Sequence, residues 1–283
     1  MVKTIAIIGA GGAMGKWFSE YFLKKGFMVT GFDNQNPVSK NIKKADSLIS
    51  AILNVDYVLL STPTKKTPEI IRLIGKEMKR NSYLIDITSQ KSKTSTALGK
   101  IPAKVSPICI HPMFGPGAKT IKNQNIVLIP IKDGKKELTV AKNLFTDGNF
   151  VTIDSTEHDK KIATILGLTH LINIAFANIL AKDEKISLTE KMAGTTFKAQ
   201  KILAESIMTE SPELIETIIS NPEIRKVAEE FWKDVGRLLT SAQENKSEDI
   251  IEYINTNKDK ISQNVDLEKS YKKLTKMVST IEK

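Results

Sequence analysis

Residues 4–8 (Thr-Ile-Ala-Ile-Ile) are a short β-branched run. Four glycines, Gly9, Gly11, Gly12 and Gly15, fall in the next seven residues. The stretch 16–25 that follows carries Trp17, Tyr21 and Phe22 on one helical face. A strand, a tight glycine turn and a helix at this spacing commit the chain to a βα unit, in which free N–H groups at the helix start face the carboxyl end of the strand. Counted from Gly9 and Gly11, the third position of the dinucleotide fingerprint falls on Met14. Counted from Ala10, Gly12 and Gly15 restore the spacing with alanine in the first slot. Gly9, Gly11, Gly12, Ala13, Met14 and Gly15 are therefore the expected pyrophosphate cradle. A second strand, 27–32, ends in Asp33, 18 residues after Gly15. A carboxylate there accepts from a ribose diol and repels a 2′-phosphate, which favours NAD and leaves NADP as the lesser choice. The alternative for Asp33 is a turn residue ahead of Asn34-Gln35-Asn36-Pro37.

Strand and helix signals alternate to about residue 153. Apolar strands are expected at 57–61, 83–87, 105–110, 126–131 and 150–153, with helices at 69–79 and 136–145. Beyond that point, helical patterns run over 158–181, 188–209, 211–220 and 223–244, with Ser211-Pro212 and Asn221-Pro222 as cap and first-turn pairs. The expected class is α/β: a doubly wound, Rossmann-type, mostly parallel sheet over 1–154, then an all-α domain over 155–283. One cysteine, Cys109, excludes a disulfide framework, and no metal site is expected. The net charge of +10 comes mostly from scattered lysines, with arginine only at 72, 80, 225 and 237. A solvated surface, not a nucleic-acid partner, is the reading. No uninterrupted apolar run of about 20 residues suggests a membrane span, and no leader precedes the first strand, so a cytoplasmic protein without membrane contact is expected.

The chain has three histidines. His111 closes the uncharged run Val105 to Ile110 and opens the loop Pro112-Met113-Phe114-Gly115-Pro116. In such sheets ligands bind beyond the carboxyl ends of strands. Two polar loops share that rim: Ser61-Thr62-Pro63-Thr64, with Thr62 and Pro63 as cofactor contacts, and Asp86-Ile87-Thr88-Ser89-Gln90-Lys91. Either they serve a ligand, or they are turn formers.

These landmarks resemble the prephenate dehydrogenases (cyclohexadienyl or arogenate dehydrogenases) of tyrosine biosynthesis. The likeness rests on the glycine turn with Met14-Gly15, the Asp86/Ser89/Lys91 pattern, His111-Pro112-Met113-Phe114-Gly115-Pro116, Glu157-His158-Asp159, and His170 after Leu168-Thr169. With nothing like a chorismate mutase segment or a regulatory domain, the resemblance is to the monofunctional form. It implies oxidative decarboxylation of prephenate to 4-hydroxyphenylpyruvate with hydride transfer to NAD. Arogenate is the alternative substrate, and a different two-domain NAD(P)-dependent dehydrogenase or reductase is a further one. It also implies that His111 is the base, suited by an imidazole titrating near neutrality, and that Ser89 orients it. His170 contacts the substrate, and Lys91 either holds a carboxylate or pins its loop. His158 is either structural or a direct participant. Where the family commonly has a carboxylate-binding arginine, alignment on Ser211-Pro212 puts Lys198, which supplies charge without a planar fork. Ile172, Ala175, Phe176, Ile179 and Leu180 extend an apolar surface, so a homodimer through the C-terminal domain is expected.

Overall fold

The computed structural model describes residues 2–281. Its first compact unit spans Met1–Ile162 and its second Ala163–Lys283. The first unit runs β1 (Thr4–Ile8), α1 (Ala13–Lys24), β2 (Met28–Phe32), β3 (Lys43–Lys44), α2 (Leu48–Ile52), β4 (Tyr57–Leu60), α3 (Thr67–Glu77), β5 (Ser82–Asp86), α4 (Ser92–Gly99), β6 (Val105–Pro112), β7 (Asn125–Ile129), α5 (Gly134–Leu144), β8 (Asn149–Thr152) and α6 (Ser155–Ile162). One sheet holds all eight strands in the order β3-β2-β1-β4-β5-β6-β7-β8. Every pairing is parallel except β6 with β7. This is the doubly wound arrangement, with the strand order reversing beside β1.

The strands read as unbroken apolar runs because both faces are covered. Ile5 and Ile7 of β1 pack with Phe18, Phe22, Leu59 and Phe145 on one side. Ala6 and Ile8 pack with Val58, Leu60, Ile71 and Ile74 on the other. Successive residues of β6 divide in the same way: Ile108 and Ile110 join the first core, and Val105 and Cys109 join the second. The period of two places His111 on the Cys109 face. β6 continues two residues past the expected end, through His111 and Pro112, because β7 returns antiparallel and pairs His111 with Val127.

The expected division at 154/155 marks where the chain turns helical. The contacts keep α6 with the first unit, because Asp159 accepts hydrogen bonds from the Lys91 and Ser92 amides at the start of α4. Short α2 and α4 and two-residue β3 escaped the sequence reading. They bury little and lack a long periodic stripe.

The second unit comprises a π-helical stretch (Ala163–Leu168), α7 (Thr169–Ala181), α8 (Ile186–Lys191), α9 (Thr195–Ile207), α10 (Pro212–Ile219), α11 (Pro222–Gln243), α12 (Ser247–Ser262) and α13 (Leu267–Ile281). Ser211 and Asn221 cap α10 and α11 as expected. The single helix expected over 188–209 is two, since Gly194 starts α9 in extended conformation. α6, the π stretch and α7 form one helix of 27 residues, Ser155–Ala181, whose most apolar window has a mean hydropathy of 1.7. By length and composition it could cross a membrane, which corrects the expectation that no segment approaches that limit. Counting uninterrupted apolar residues missed it, because neutral Thr164, Gly167, Thr169, His170 and Asn173 punctuate the run.

Candidate active site

The glycine turn is built for close approach. Gly9 has φ +84, and a Cβ there would fall 2.1 Å from the Ser61 carbonyl oxygen. A Cβ on Gly11 would meet Asn36 at 2.6 Å, and one on Gly15 would meet the Gly9 oxygen at 2.0 Å. Gly12 differs: its Cβ would touch only the Gly9 oxygen, at 3.4 Å, so this position faces open space. Gly12 starts α1 with no side-chain cap, and the first turn carries no acidic residue. The orphan N–H groups of Ala13, Met14 and Gly15 thus keep their capacity for an anion. Asp33 lies beside them at the end of β2. Its Oδ2 accepts from the Gly11 amide at 3.0 Å, and its Oδ1 from the Gln35 and Asn36 amides at 2.9 and 2.8 Å. It is therefore a turn former and a part of the cradle at once. Oδ1 has both lone pairs engaged, and Oδ2, with one donor, keeps capacity for a diol hydroxyl. These residues fit a dinucleotide: uncapped helix donors for a pyrophosphate, and a carboxylate one strand away for a ribose. Ser61 packs on Gly9, while the Thr62 hydroxyl pairs with Thr67 at 2.8 Å and the Pro63 carbonyl accepts from the Thr67 amide. That loop caps α3 as well as bordering the cradle.

At the same rim a polar network is sealed beneath β5, β6 and α4. Lys91 is fully buried, and its Nζ donates to Asp86 Oδ2 at 2.8 Å and to the Ile110 carbonyl at 2.6 Å. Thr88 donates to the Asp86 carboxylate from both its amide and its hydroxyl, at 3.0 and 3.1 Å. The Cys109 thiol, pushed up by burial, points at the same carboxylate. Of the two roles open to Lys91, the network favours the pinning one, since its buried ammonium is bound to an internal carboxylate and carbonyl.

His111 stands above this network, 6% exposed, and its Nδ1 lies 3.1 Å from Nε2 of His158. His158 in turn sets its Nδ1 2.8 Å from Asp159 Oδ1. Asp159 receives the Lys91 and Ser92 amides, each at 2.9 Å. Burial, the Lys91 ammonium and His158 hold the His111 imidazole well below its usual pKa. Burial works to raise the Asp159 carboxyl, but hydrogen bonds from His158 and the two amides outweigh it and hold it low. Ser89 was expected to orient His111. The hydrogen-bond partner at His111 Nδ1 is His158. The physical reason is register: α6 docks at the start of α4 and brings its second turn over the β6 end. Sequence reasoning missed Asp159 as a partner of both. The signal was present in Glu157-His158-Asp159, but nothing local shows which strand it meets.

In the second unit, His170 is buried on α7. Its Nδ1 lies 2.7 Å from the Leu166 carbonyl and its Nε2 3.3 Å from Glu210 Oε2. The Glu210 hydrogen bond raises its pKa. Glu210 escaped the sequence reading, being 40 residues away without a motif. Lys198 is half-buried on α9. α9 is tied to α7 by Gln200 donating to Asn173 at 2.9 Å and by the Phe176–Phe197 ring pair.

Strand order and cradle together place the chain among the dinucleotide-binding dehydrogenases built from a parallel sheet and a helical domain. Within that class the comparisons single out one family. Residues 23–153 match the model of the prephenate dehydrogenase nucleotide-binding domain and residues 154–256 that of the prephenate dehydrogenase dimerization domain. The chain belongs to the prephenate dehydrogenase family. A probable arogenate/prephenate dehydrogenase of Methanocaldococcus jannaschii is 30% identical over 244 residues, covering 81% of this chain and 54% of that protein. The chain thus spans about half the length of that curated relative, 54%, and 60% and 34% of two others. Among solved structures, prephenate dehydrogenase from A. aeolicus in complex with hydroxyphenyl propionate and NAD+ superposes with a TM-score of 0.73 at 22% identity, covering 93% of this chain and 98% of that one. Synechocystis arogenate dehydrogenase gives 0.67 at 14% identity over 93% and 100%. At these identities the two structures speak for the fold.

Proposed function

We propose that the chain catalyses the NAD-dependent oxidative decarboxylation of prephenate to 4-hydroxyphenylpyruvate, with His111 as general base. The observation that carries this reading is a buried, charge-resisting imidazole at the end of β6, on the same rim as the α1 cradle. Family membership, and the hydroxyphenyl propionate and NAD+ bound to the A. aeolicus relative, support the substrate class and the cofactor. When bound, NAD supplies the hydride acceptor. Gly9, Gly11, Gly12, Ala13, Met14 and Gly15 are the residues proposed to cradle its pyrophosphate, with Asp33 at the ribose and Thr62 and Pro63 at the edge. His111 takes the hydroxyl proton of the substrate, so that the oxygen lone pair can form the carbonyl. Loss of the ring carboxylate then yields the aromatic ring. Lys91 acts indirectly, since its buried charge keeps His111 unprotonated and competent as a base. Ser89 keeps a proposed place at the rim. Lys198 is proposed to hold a substrate carboxylate, and His170 to serve substrate binding through a ring whose nitrogens are already engaged.

Arogenate is the second reading. The likeness to a probable arogenate/prephenate dehydrogenase supports it. The test is NADH formation by the purified chain with prephenate or arogenate, and NAD or NADP. The reading expects turnover with prephenate and NAD, and fails if neither substrate reduces either cofactor. Asp33→Ser is expected to weaken NAD and narrow its margin over NADP.

A homodimer through the helical unit belongs to the same reading. The match to a dimerization domain supports it, as does a face of α7 on which Ala175 and Ile179 are exposed and Ile172, Phe176 and Leu180 are half-buried. The buried polar groups His158, Asp159, His170 and Asn173 along the Ser155–Ala181 helix favour a water-soluble, cytoplasmic protein over a membrane-spanning one.

A further inference from the structure

We infer that Asp159 and His158 are a positioning pair that fixes the tautomer of His111, with hydrogen on Nδ1 and the lone pair on Nε2, and accepts charge when Nε2 gains a proton. This rests on the proposed role of His111 as base. The argument is one of hydrogen-bond direction. Asp159 is an acceptor only, and its orientation is set by two backbone donors, the Lys91 amide at Oδ1 and the Ser92 amide at Oδ2. The hydrogen between Asp159 Oδ1 and His158 Nδ1, 2.8 Å apart, therefore belongs to His158. In neutral His158 the lone pair then lies on Nε2. At 3.1 Å from it stands His111 Nδ1, which must donate. That leaves Nε2 of His111 as the only basic nitrogen of the ring.

The direction is enforced by burial. His111, His158 and Asp159 are 6%, 2% and 7% exposed, so water cannot substitute for a wrongly turned donor. Among the charged and titratable groups near the pair in the first unit are Asp86 from β5, Lys91 ahead of α4, Cys109 from β6, and Asp159 from α6 itself. Asp86 is taken by Lys91. Asp159 is the carboxylate bonded to the pair itself, and so the one placed to balance an imidazolium. The proton balance closes. The substrate O–H bond breaks, its electron pair stays on oxygen, and its proton binds His111 Nε2. The proton of Nδ1–H then moves along the 3.1 Å bond to His158 Nε2, which leaves His111 neutral and His158 as an imidazolium against Asp159.

With three histidines in the chain, ring ¹⁵N spectra of the chain labelled at histidine resolve each one, assigned by substituting them singly. The expected wild-type spectrum has His111 protonated at Nδ1 and bare at Nε2. Asp159→Asn keeps its amide oxygen toward the Lys91 amide and His158 Nδ1, which share one carboxylate oxygen, and turns its NH2 toward Ser92. The His111 tautomer is then kept while the charge facing the imidazolium is lost, so kcat should fall ~10²-fold, with KM for substrate and for NAD within about threefold. His158→Gln, whose amide oxygen takes the place of the Nε2 acceptor, should keep the His111 tautomer and at least about a tenth of kcat. His158→Phe, lacking an acceptor, should lose ~10²-fold or more. Should Asp159→Asn fail to fold, the wild-type spectrum and the Gln/Phe contrast decide the matter. A wild-type His111 carrying its proton on Nε2, or equal kcat for His158→Gln and His158→Phe, overturns the inference. The functional reading fails separately: the expected tautomer with no oxidation of prephenate or arogenate sinks that reading alone, and a reversed tautomer in an active, His111-dependent enzyme sinks the positioning pair alone.

Discussion

A buried imidazole next to a buried ammonium holds off its proton until the solution is acid, and this sets what His111 does. As a base it must be neutral, so kcat/KM is expected to stay level as pH falls from neutrality through the ordinary histidine value of about 6.5, and to drop only below it. An acid limb at or above about pH 6.5 that persists in His170→Asn, which removes the imidazole raised by Glu210, would refute that. His111→Asn should lower kcat by ~10²–10⁴ with NAD affinity little changed. The two lysines make a contrast. Lys91→Met strands the Asp86 carboxylate, fully buried, and should cost ~3–5 kcal/mol in stability. Denaturant titration reads this as a lowered midpoint, while KM in the folded fraction stays put. Lys198→Met should raise KM for the substrate roughly 10- to 150-fold, the loss of a charged hydrogen bond of ~1.5–3 kcal/mol. kcat should fall much less, and Lys198→Arg should retain or improve binding. Equal kinetics for wild type and Lys198→Met would remove Lys198 from the site.

At the level of single elements, the β1–α1 turn separates packing from binding within four residues. An added Cβ at Gly15 would collide with the Gly9 carbonyl at 2.0 Å, whereas at Gly12 it would find only the same oxygen at 3.4 Å. Gly15→Ala should therefore disrupt the fold of the turn, with a lower melting temperature. Gly12→Ala should change stability by less than about 1 kcal/mol and weaken NAD by roughly tenfold, about 1.4 kcal/mol, because its methyl occupies the space over the α1 amides. Fluorescence titration with NAD and thermal melts on the two variants separate the effects. A Gly12→Ala protein binding NAD at wild-type strength would argue against the cradle. The turn was legible because glycine at such contacts has no substitute. The π-helical stretch was not legible: a single turn is too short to show a period of its own. What marks it in the structure is Gly167, where a Cβ would meet Ile224 Cδ1 of α11 at 2.1 Å.

For the whole molecule, the helical unit leaves several large apolar side chains exposed. Ile179, Met192, Trp232 and Leu239 are 63%, 79%, 54% and 59% exposed. A two-fold homodimer is the expected state, and light scattering should return twice the 31.4 kDa protomer mass. A monomer at working concentration, or recovery only with detergent, would count against it.

Local chemistry fixes what is readable in a chain. The β-branched runs, the glycine turn, Asp33 after β2 and the capped prolines of α10 and α11 were all decided within a few residues, because backbone reach, φ and capping depend on near neighbours. So the α/β class, the cradle and His111 as the proposed base could be argued from sequence. Partners across the fold could not. His158 on His111, Asp86 on Lys91 and Glu210 on His170 each depend on how one element docks on another, and the same side chains in another register would bond elsewhere. The order of residues determined which groups this protein has at its strand ends. Only the tertiary structure decided which of them are buried together, and burial makes each hydrogen bond's direction matter.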